Sequence, residues 1–256
     1  MLGWRIFMHS VRLVLGNLEA AFRVSAVLYL VSAGVQAWFL IRFGEVSQAI
    51  QMGNPASMAM MDGSYVGAAL ISAITTMITG LWIAVAWHRF VLVGEQPDGW
   101  LPKWQGGRML GYFGRSILIM LVAMIAALVI GVPLGMLMGF VGGPAMAWMI
   151  PFLVMLLVMS IFYRLCLILP AAALDRPIKL GAAWEATKDQ TGTIVSLAIV
   201  TLAATLIMQI PSMLNSDPTS IINIVYSLVV GWFMMLIGVS VLTTFYGHFI
   251  EGREVD

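Results

Sequence analysis

Apolar residues recur at helical spacing from the first positions of the chain. Trp4, Phe7, Val11, Val14, Leu15, Leu18 and Phe22 fall within an arc of about 100° when each residue turns the helix by 100°. Arg5, His9, Arg12, Glu19 and Arg23 fall opposite. The pattern predicts one amphipathic helix over 2–22, inside an N-terminal segment 1–23. Two roles are open to it: an anchor lying in the membrane interface, or a lead-in helix packed on the bundle. After Arg23 the alternation gives way to long apolar runs. Crossing a bilayer takes about 20 such residues. Six runs come close to or exceed that length, at about 24–42, 65–88, 116–140, 146–169, 193–213 and 220–246. Tight turns are expected at Gly142, Gly143 and Pro144 and again at Asn215 to Pro218.

The runs pair into three hairpins, because every second one ends in a related cluster: WHRF from Trp87, YRLC from Tyr163 and YGHF from Tyr246. The stretch Tyr163 to Gln190 is the richest of these junctions. Arg164 is followed by further apolar residues and Pro170, then by the stop-and-restart signal Asp175, Arg176 and Pro177. The proline suits the first turn of a new helix. That helix, about 177–189, is too short to span. Its face of Leu180, Ala183, Trp184 and Thr187 predicts a position along the membrane surface. The earlier junction, Trp87 to Pro97, repeats the order of aromatic, arginine, apolar residues, acid and proline. The loop 94–115 carries Trp100, Trp104, Lys103 and Arg108, a combination suited to headgroup depth. Its Gly99, Pro102, Gly106 and Gly107 argue against a regular helix there.

Composition supports the membrane reading. The 256 residues are 61% hydrophobic and 10% charged, against roughly 25% charged in soluble domains. The expected organisation is a single transmembrane domain over 24–250 and a tail over 251–256. Net charge is +1, which gives no electrostatic case for nucleic acid. One cysteine, Cys166, permits no intramolecular disulfide. The first residues lack the continuous apolar core of a cleaved signal peptide. Of the 13 Lys and Arg residues, all but Arg42 fall on one side of the expected topology. The positive-inside rule therefore predicts that both termini face the cytoplasm.

Candidate chemistry is sparse. Gly131, Gly135 and Gly139 continue a ridge from Ala123 and Ala127, and Ser72, Thr76, Gly80 and Ala84 form another. Such ridges let helix backbones approach closely in lipid. Pro133 is expected to kink its helix. Gln36, Gln209 and Asn223 are the strongest polar groups within the runs, and no carboxylate, lysine or histidine is expected at mid-membrane. That argues against proton-coupled transport. Motifs of zinc proteases, serine hydrolases and nucleotide-binding loops are missing, so no enzyme and no cofactor is expected. His9, His88 and His248 are too few for a dedicated zinc centre. Met58, Met60 and Met61 offer soft ligands of the kind Cu(I) takes, but methionine also fills apolar surfaces. Arg89 and Arg164 each follow an aromatic near the end of a span and precede more apolar sequence. Each can snorkel to the interface or hold a phosphate through paired hydrogen bonds. Arg89, Arg164, His88 and Trp184 are thus the candidate lipid-headgroup residues, with Glu95 and Asp175 as competing partners.

The runs A-W-H-R-F-V-L-V-G-E-Q-P (86–97) and R-L-C-L-I-L-P-A-A-A-L-D-R-P (164–177), with A-W-E-A-T-K (183–188), resemble a family of uncharacterised six-span bacterial inner-membrane proteins. That family is similar in turn to the membrane domain of some glycerophosphoryl diester phosphodiesterases. The resemblance implies a bacterial inner membrane and a link to lipid. It implies no activity, since the chain has no room for the phosphodiesterase barrel and none of its catalytic residues.

The expectation is therefore an all-α polytopic membrane protein: a bundle of six transmembrane helices in three hairpins, with an N-terminal amphipathic helix and a short interfacial helix. A non-enzymatic role is expected, engaging anionic lipid headgroups or a partner membrane protein. The alternatives are a carrier or channel for a small amphipathic molecule and an accessory subunit of a larger complex. Membrane lipids are the expected partners, with another membrane protein or a second copy as further options.

Overall fold

The structure is a computed structural model that describes residues 1–54, 61–141, 149–214 and 220–255. Every regular element among the described residues is a helix: α1 (Leu2–Gly16), α2 (Leu18–Gln51), α3 (Gly63–Val93), α4 (Gly106–Val141), α5 (Met149–Leu165), α6 (Ile168–Ala173), α7 (Leu180–Thr187), α8 (Thr191–Leu214) and α9 (Ile221–Phe249). Six helical segments are long and apolar enough to cross a membrane, and α5 and α6 together make the fourth. The protein is a polytopic integral membrane protein. Its apolar runs become helices because hydrocarbon offers no partner to a free backbone N–H or C=O.

The helices outrun the apolar stretches, since backbone hydrogen bonding does not stop at the first charge. α2 continues past Arg42 to Gln51, with a kink at Phe43 (φ −134°, ψ 16°). α4 starts at Gly106, so Gly106 and Gly107 form its first turn and the expectation of irregular chain there is corrected. α4 also runs on through Pro133. α7 starts at Leu180, behind Lys179, which leaves Pro177 in the connection before the helix. The turns at 142–144 and 215–218, the surroundings of Gly139, and Met58 and Met60 lie outside the described residues.

The N-terminal helix ends earlier than its periodicity suggests. Asn17 leaves helical geometry (φ −129°, ψ 36°), and its side-chain amide donates to Leu13 O at 2.8 Å. An asparagine that competes for helix carbonyls in this way favours a break. α1 buries Gly3, Ile6, Phe7, Ser10 and Val14 and is wedged between α8 and α9. Trp4, Leu15, Leu18 and Phe22 are exposed. The dry face is therefore rotated away from the predicted stripe, and it includes a glycine and a serine. Gly3 sets the fit. A Cβ there would lie 2.6 Å from Thr193 O and 2.7 Å from Leu197 N of α8.

α2 pairs with α3 and α4 with α5. α8 and α9 meet where the Tyr226 hydroxyl donates to Met208 O at 2.8 Å, and α1 opens them at their other end. Gly131 and Gly135 face α5, where added Cβ atoms would meet Val154 at 3.1 Å and Ile150 at 3.9 Å. Buried residues gather toward the end that carries α1, α6 and α7, here called the basic end. Along α2 none lies beyond Ser32, along α4 none beyond Ala123 and along α8 none beyond Ala198 among residues whose burial is described.

At the basic end α6 sits inside the ring of helices, touching α3, α4 and α9. All six of its residues are buried, as befits a helix that is apolar all round. The break before it follows from Pro170, which has no N–H to give to the carbonyl four residues back. The Cys166 carbonyl is taken by Leu169 N instead, at 2.9 Å. The helix ends with Asp175 N on Ala172 O (3.2 Å) and Arg176 N on Ala171 O (2.9 Å). Asp175 itself is left-handed (φ 57°). This pair of bonds, around a left-handed residue, satisfies the last carbonyls of the helix.

Candidate headgroup site at the basic end

The four candidate headgroup residues occupy three different environments. His88 is fully buried. Its Nδ1 lies 2.8 Å from Thr243 Oγ1 and its Nε2 lies 3.3 Å from the Tyr112 hydroxyl. Thr243 gives its single hydroxyl proton to Val239 O at 2.8 Å, so it accepts from His88 Nδ1–H. Nε2 then accepts from Tyr112. His88 is a neutral strut between α3, α4 and α9 and presents no surface to a headgroup.

Neighbouring residues of α9 do similar work. Ser240 accepts from Trp87 Nε1 at 2.8 Å. Ser10 of α1 gives its single hydroxyl proton to Ile6 O at 2.7 Å, so Thr244 donates to Ser10 Oγ across 3.0 Å. Farther along, Trp232 Nε1 donates to Ser25 of α2 at 2.8 Å. Ser240, Thr243 and Thr244 stand at helical spacing in an otherwise apolar run. That spacing is the sequence signal that would have located this network.

Arg89 is also committed. It pairs with Glu95, donates to Ala173 O at 3.3 Å, and its side chain is 16% exposed. Gln105 closes on the same carboxylate at 2.9 Å. Arg108 reaches Asp175 at 2.6 Å. The two junctions of similar sequence therefore abut, with Arg89 of the first and Arg108 at the start of α4 both reaching the second.

The basic end also shows a recurring contact in which arginine donates to a helix-terminal carbonyl. Arg89 does so to the end of α6. Arg253 donates to Leu92 O (2.8 Å) and Val91 O (3.3 Å) at the end of α3. Arg164 donates to Thr187 O at 2.8 Å, at the end of α7. Arg5 of α1 donates to Val255 O in the tail. Helix C-termini carry partial negative charge and free carbonyls, so a cation there is stabilising by about 0.3–1 kcal/mol at exposed sites.

Arg164 differs from the others in what else surrounds it. Its Nη2 donates to Thr191 Oγ1 at 2.6 Å in an exposed setting. Its guanidinium lies 4.8 Å from the centre of the Trp184 ring, and Trp184 is 47% exposed. Among the described residues no carboxylate pairs with it. α7 supplies this geometry by burying Ala183 and Thr187, which turns Trp184 outward. Lys188 comes next along the chain, its ammonium pKa raised by its bond to Glu185. The structure thus joins Arg164 with Trp184 and leaves Arg89 and His88 elsewhere. In the loop before α4, Trp82 Nε1 donates to Pro102 O and Lys103 O, both at 3.2 Å, which pins that segment against α3.

Among the described residues no three His, Cys, Asp or Glu side chains gather as a metal site. Comparison of the chain with family models, curated proteins and solved structures gives no match.

Proposed function

We propose that the chain is a non-enzymatic protein of a bacterial inner membrane whose basic end faces the cytoplasm and engages anionic lipid headgroups at Arg164 and Trp184. One observation carries this reading: Arg164 is half-buried, with its Nη2 in an exposed bond to Thr191, is backed by an exposed indole, and pairs with no carboxylate among the described residues. A lipid phosphate there exchanges the Thr191 hydroxyl bond for a charge-assisted pair, and the indole suits headgroup depth. The orientation rests on twelve of the 13 Lys and Arg residues lying at this end. Resemblance of the two junctions to the six-span family supports the same membrane. The carrier reading is weaker because α6, buried along its whole length, packs against α3, α4 and α9 at the basic end.

Native mass spectrometry after reconstitution with phosphatidylglycerol or phosphatidylcholine tests the site. Wild type should retain the anionic lipid preferentially, and Arg164→Gln or Trp184→Ala should lose that preference. Equal retention of phosphatidylglycerol by wild type and Arg164→Gln would overturn the site. Thiol labelling in intact cells tests the orientation. Ser64→Cys should react from outside and Lys179→Cys only after permeabilisation, and the reverse result would invert it.

A further inference from the structure

Residues 251–255 fold back over the basic end. The chain reverses at Gly252, which takes a left-handed conformation (φ 68°) open to glycine without steric penalty. Arg253 N then donates to Gly247 O at 2.9 Å, and His248 Nδ1–H donates to Arg253 O at 3.0 Å. The Arg253 side chain holds the end of α3. Val255 lies in the same core as Ile6 and Phe7 of α1, only 3% exposed, and its carbonyl takes the Arg5 guanidinium. The segment after the last helix thus fastens the first.

The helix it fastens cannot rely on hydrophobic burial. In water, Ile6, Phe7 and Val14 would commit α1 to the bundle. Beside a bilayer they gain little from docking, because lipid tails receive an apolar face about as well as protein does. Close packing and hydrogen bonds must then do the holding. α1 has the close fit of Gly3 on α8, the bond from Thr244 to Ser10 and the bond from Arg5 to Val255 O. At its far end Asn17 leaves helical geometry (φ −129°, ψ 36°), which supplies a hinge between α1 and α2.

α1 also stands where two spans would otherwise meet. It packs against both α8 and α9 at the basic end. Its departure would part the bundle sideways between spans five and six, and uncover Ser196 of α8 and Thr244 of α9, which Gly3 and Ser10 now cover.

We propose that residues 251–255 are a releasable strap that holds α1 in its slot, and that freeing the strap lets α1 swing about Asn17 and opens the bundle between spans five and six. The device is independent of the charge at Arg164. Ser10→Cys with Thr244→Cys, whose native hydroxyl oxygens lie 3.0 Å apart, reports docking of α1 through the initial rate of disulfide formation in liposomes. Ser32→Cys with Thr76→Cys, at 3.3 Å between α2 and α3, is the control pair away from α1. Arg5→Gln and Val255→Asp should each slow the first pair at least fivefold and leave the control pair unchanged. Arg5→Lys should restore most of the rate, and Arg164→Gln should not alter it. If the cysteine pair disturbs folding, trypsin cleavage after Arg12 reads the same release in Val255→Asp without added cysteines, and should quicken at least fivefold. Equal rates with and without the strap changes would overturn the proposal. So would parallel slowing of the control pair, since residues 251–255 would then support the fold as a whole and not α1 in particular.

Discussion

The guanidinium of Arg89 donates to the carbonyl of Ala173 across 3.3 Å, so the end of span two caps the last turn of the buried helix α6. Arg89 is thereby fixed from both sides, by Glu95 of its own junction and by the carbonyl of the next.

Arg89 and Arg164, equivalent in the sequence, should separate on mutation. Arg89→Gln leaves a mostly buried carboxylate without its cation and a helix end without its cap. Hydrogen bonds to charged groups contribute about 1.5–3 kcal/mol, and a loss of that size is expected in detergent unfolding. Arg164→Gln should cost less than about 1 kcal/mol, in line with exposed charges. Similar losses in both would show that Arg164 is equally structural.

Gly3→Ala should loosen α1. The added methyl group meets the backbone of α8, which cannot rotate aside, and overpacking costs about 1–3 kcal/mol. Gly16→Ala is the control, because a Cβ there meets nothing within 4 Å. Urea unfolding and proteolysis of α1 should respond to the first change alone.

His88 and Tyr112 should be thermodynamically coupled. His88→Leu strands the buried Tyr112 hydroxyl, at about 1–3 kcal/mol, whereas Tyr112→Phe removes the stranded group. A double-mutant cycle should therefore show a coupling of about 0.5–3 kcal/mol. Simple additivity of the two losses would mean that the 3.3 Å contact contributes nothing.

Asp175 occupies a left-handed conformation that suits glycine. Asp175→Gly relieves about 1 kcal/mol of backbone cost and forfeits the exposed contact to Arg108, so its net effect should stay within about 1 kcal/mol. Asp175→Val loses the contact and keeps a β-branched residue at positive φ, and its melting temperature should fall well below that of the glycine variant.

The six spans were legible because a long uncharged run in hydrocarbon has one way to satisfy its backbone. The buried face of α1 was not. Hydrophobicity cannot tell a lipid-facing Trp4 or Leu15 from a protein-facing Ile6, whereas Gly3 and Ser10 mark the close contact through their small size. α6 was hidden for a related reason. Its apolar residues read as the continuation of a span, and only the missing N–H of Pro170 hinted at the turn into the bundle. The pairing of Arg164 with Trp184 could be anticipated from the spacing of two helices that meet at one junction. The separation of Arg89 from that pair could not, because its carboxylate partner and its carbonyl partner come from different junctions.

The position of α1 also imposes an order in time. Ser10 meets Thr244, a residue 234 positions later in the chain. At synthesis rates of 5–20 residues per second, roughly 10–50 s separate the emergence of the two. For most of that interval α1 has neither α8 nor α9 to receive it, and its Trp4 and Leu15 side gives it a resting place on the bilayer. Assembly of the bundle then closes with its first helix, and a defect in the last span is felt at the beginning of the chain.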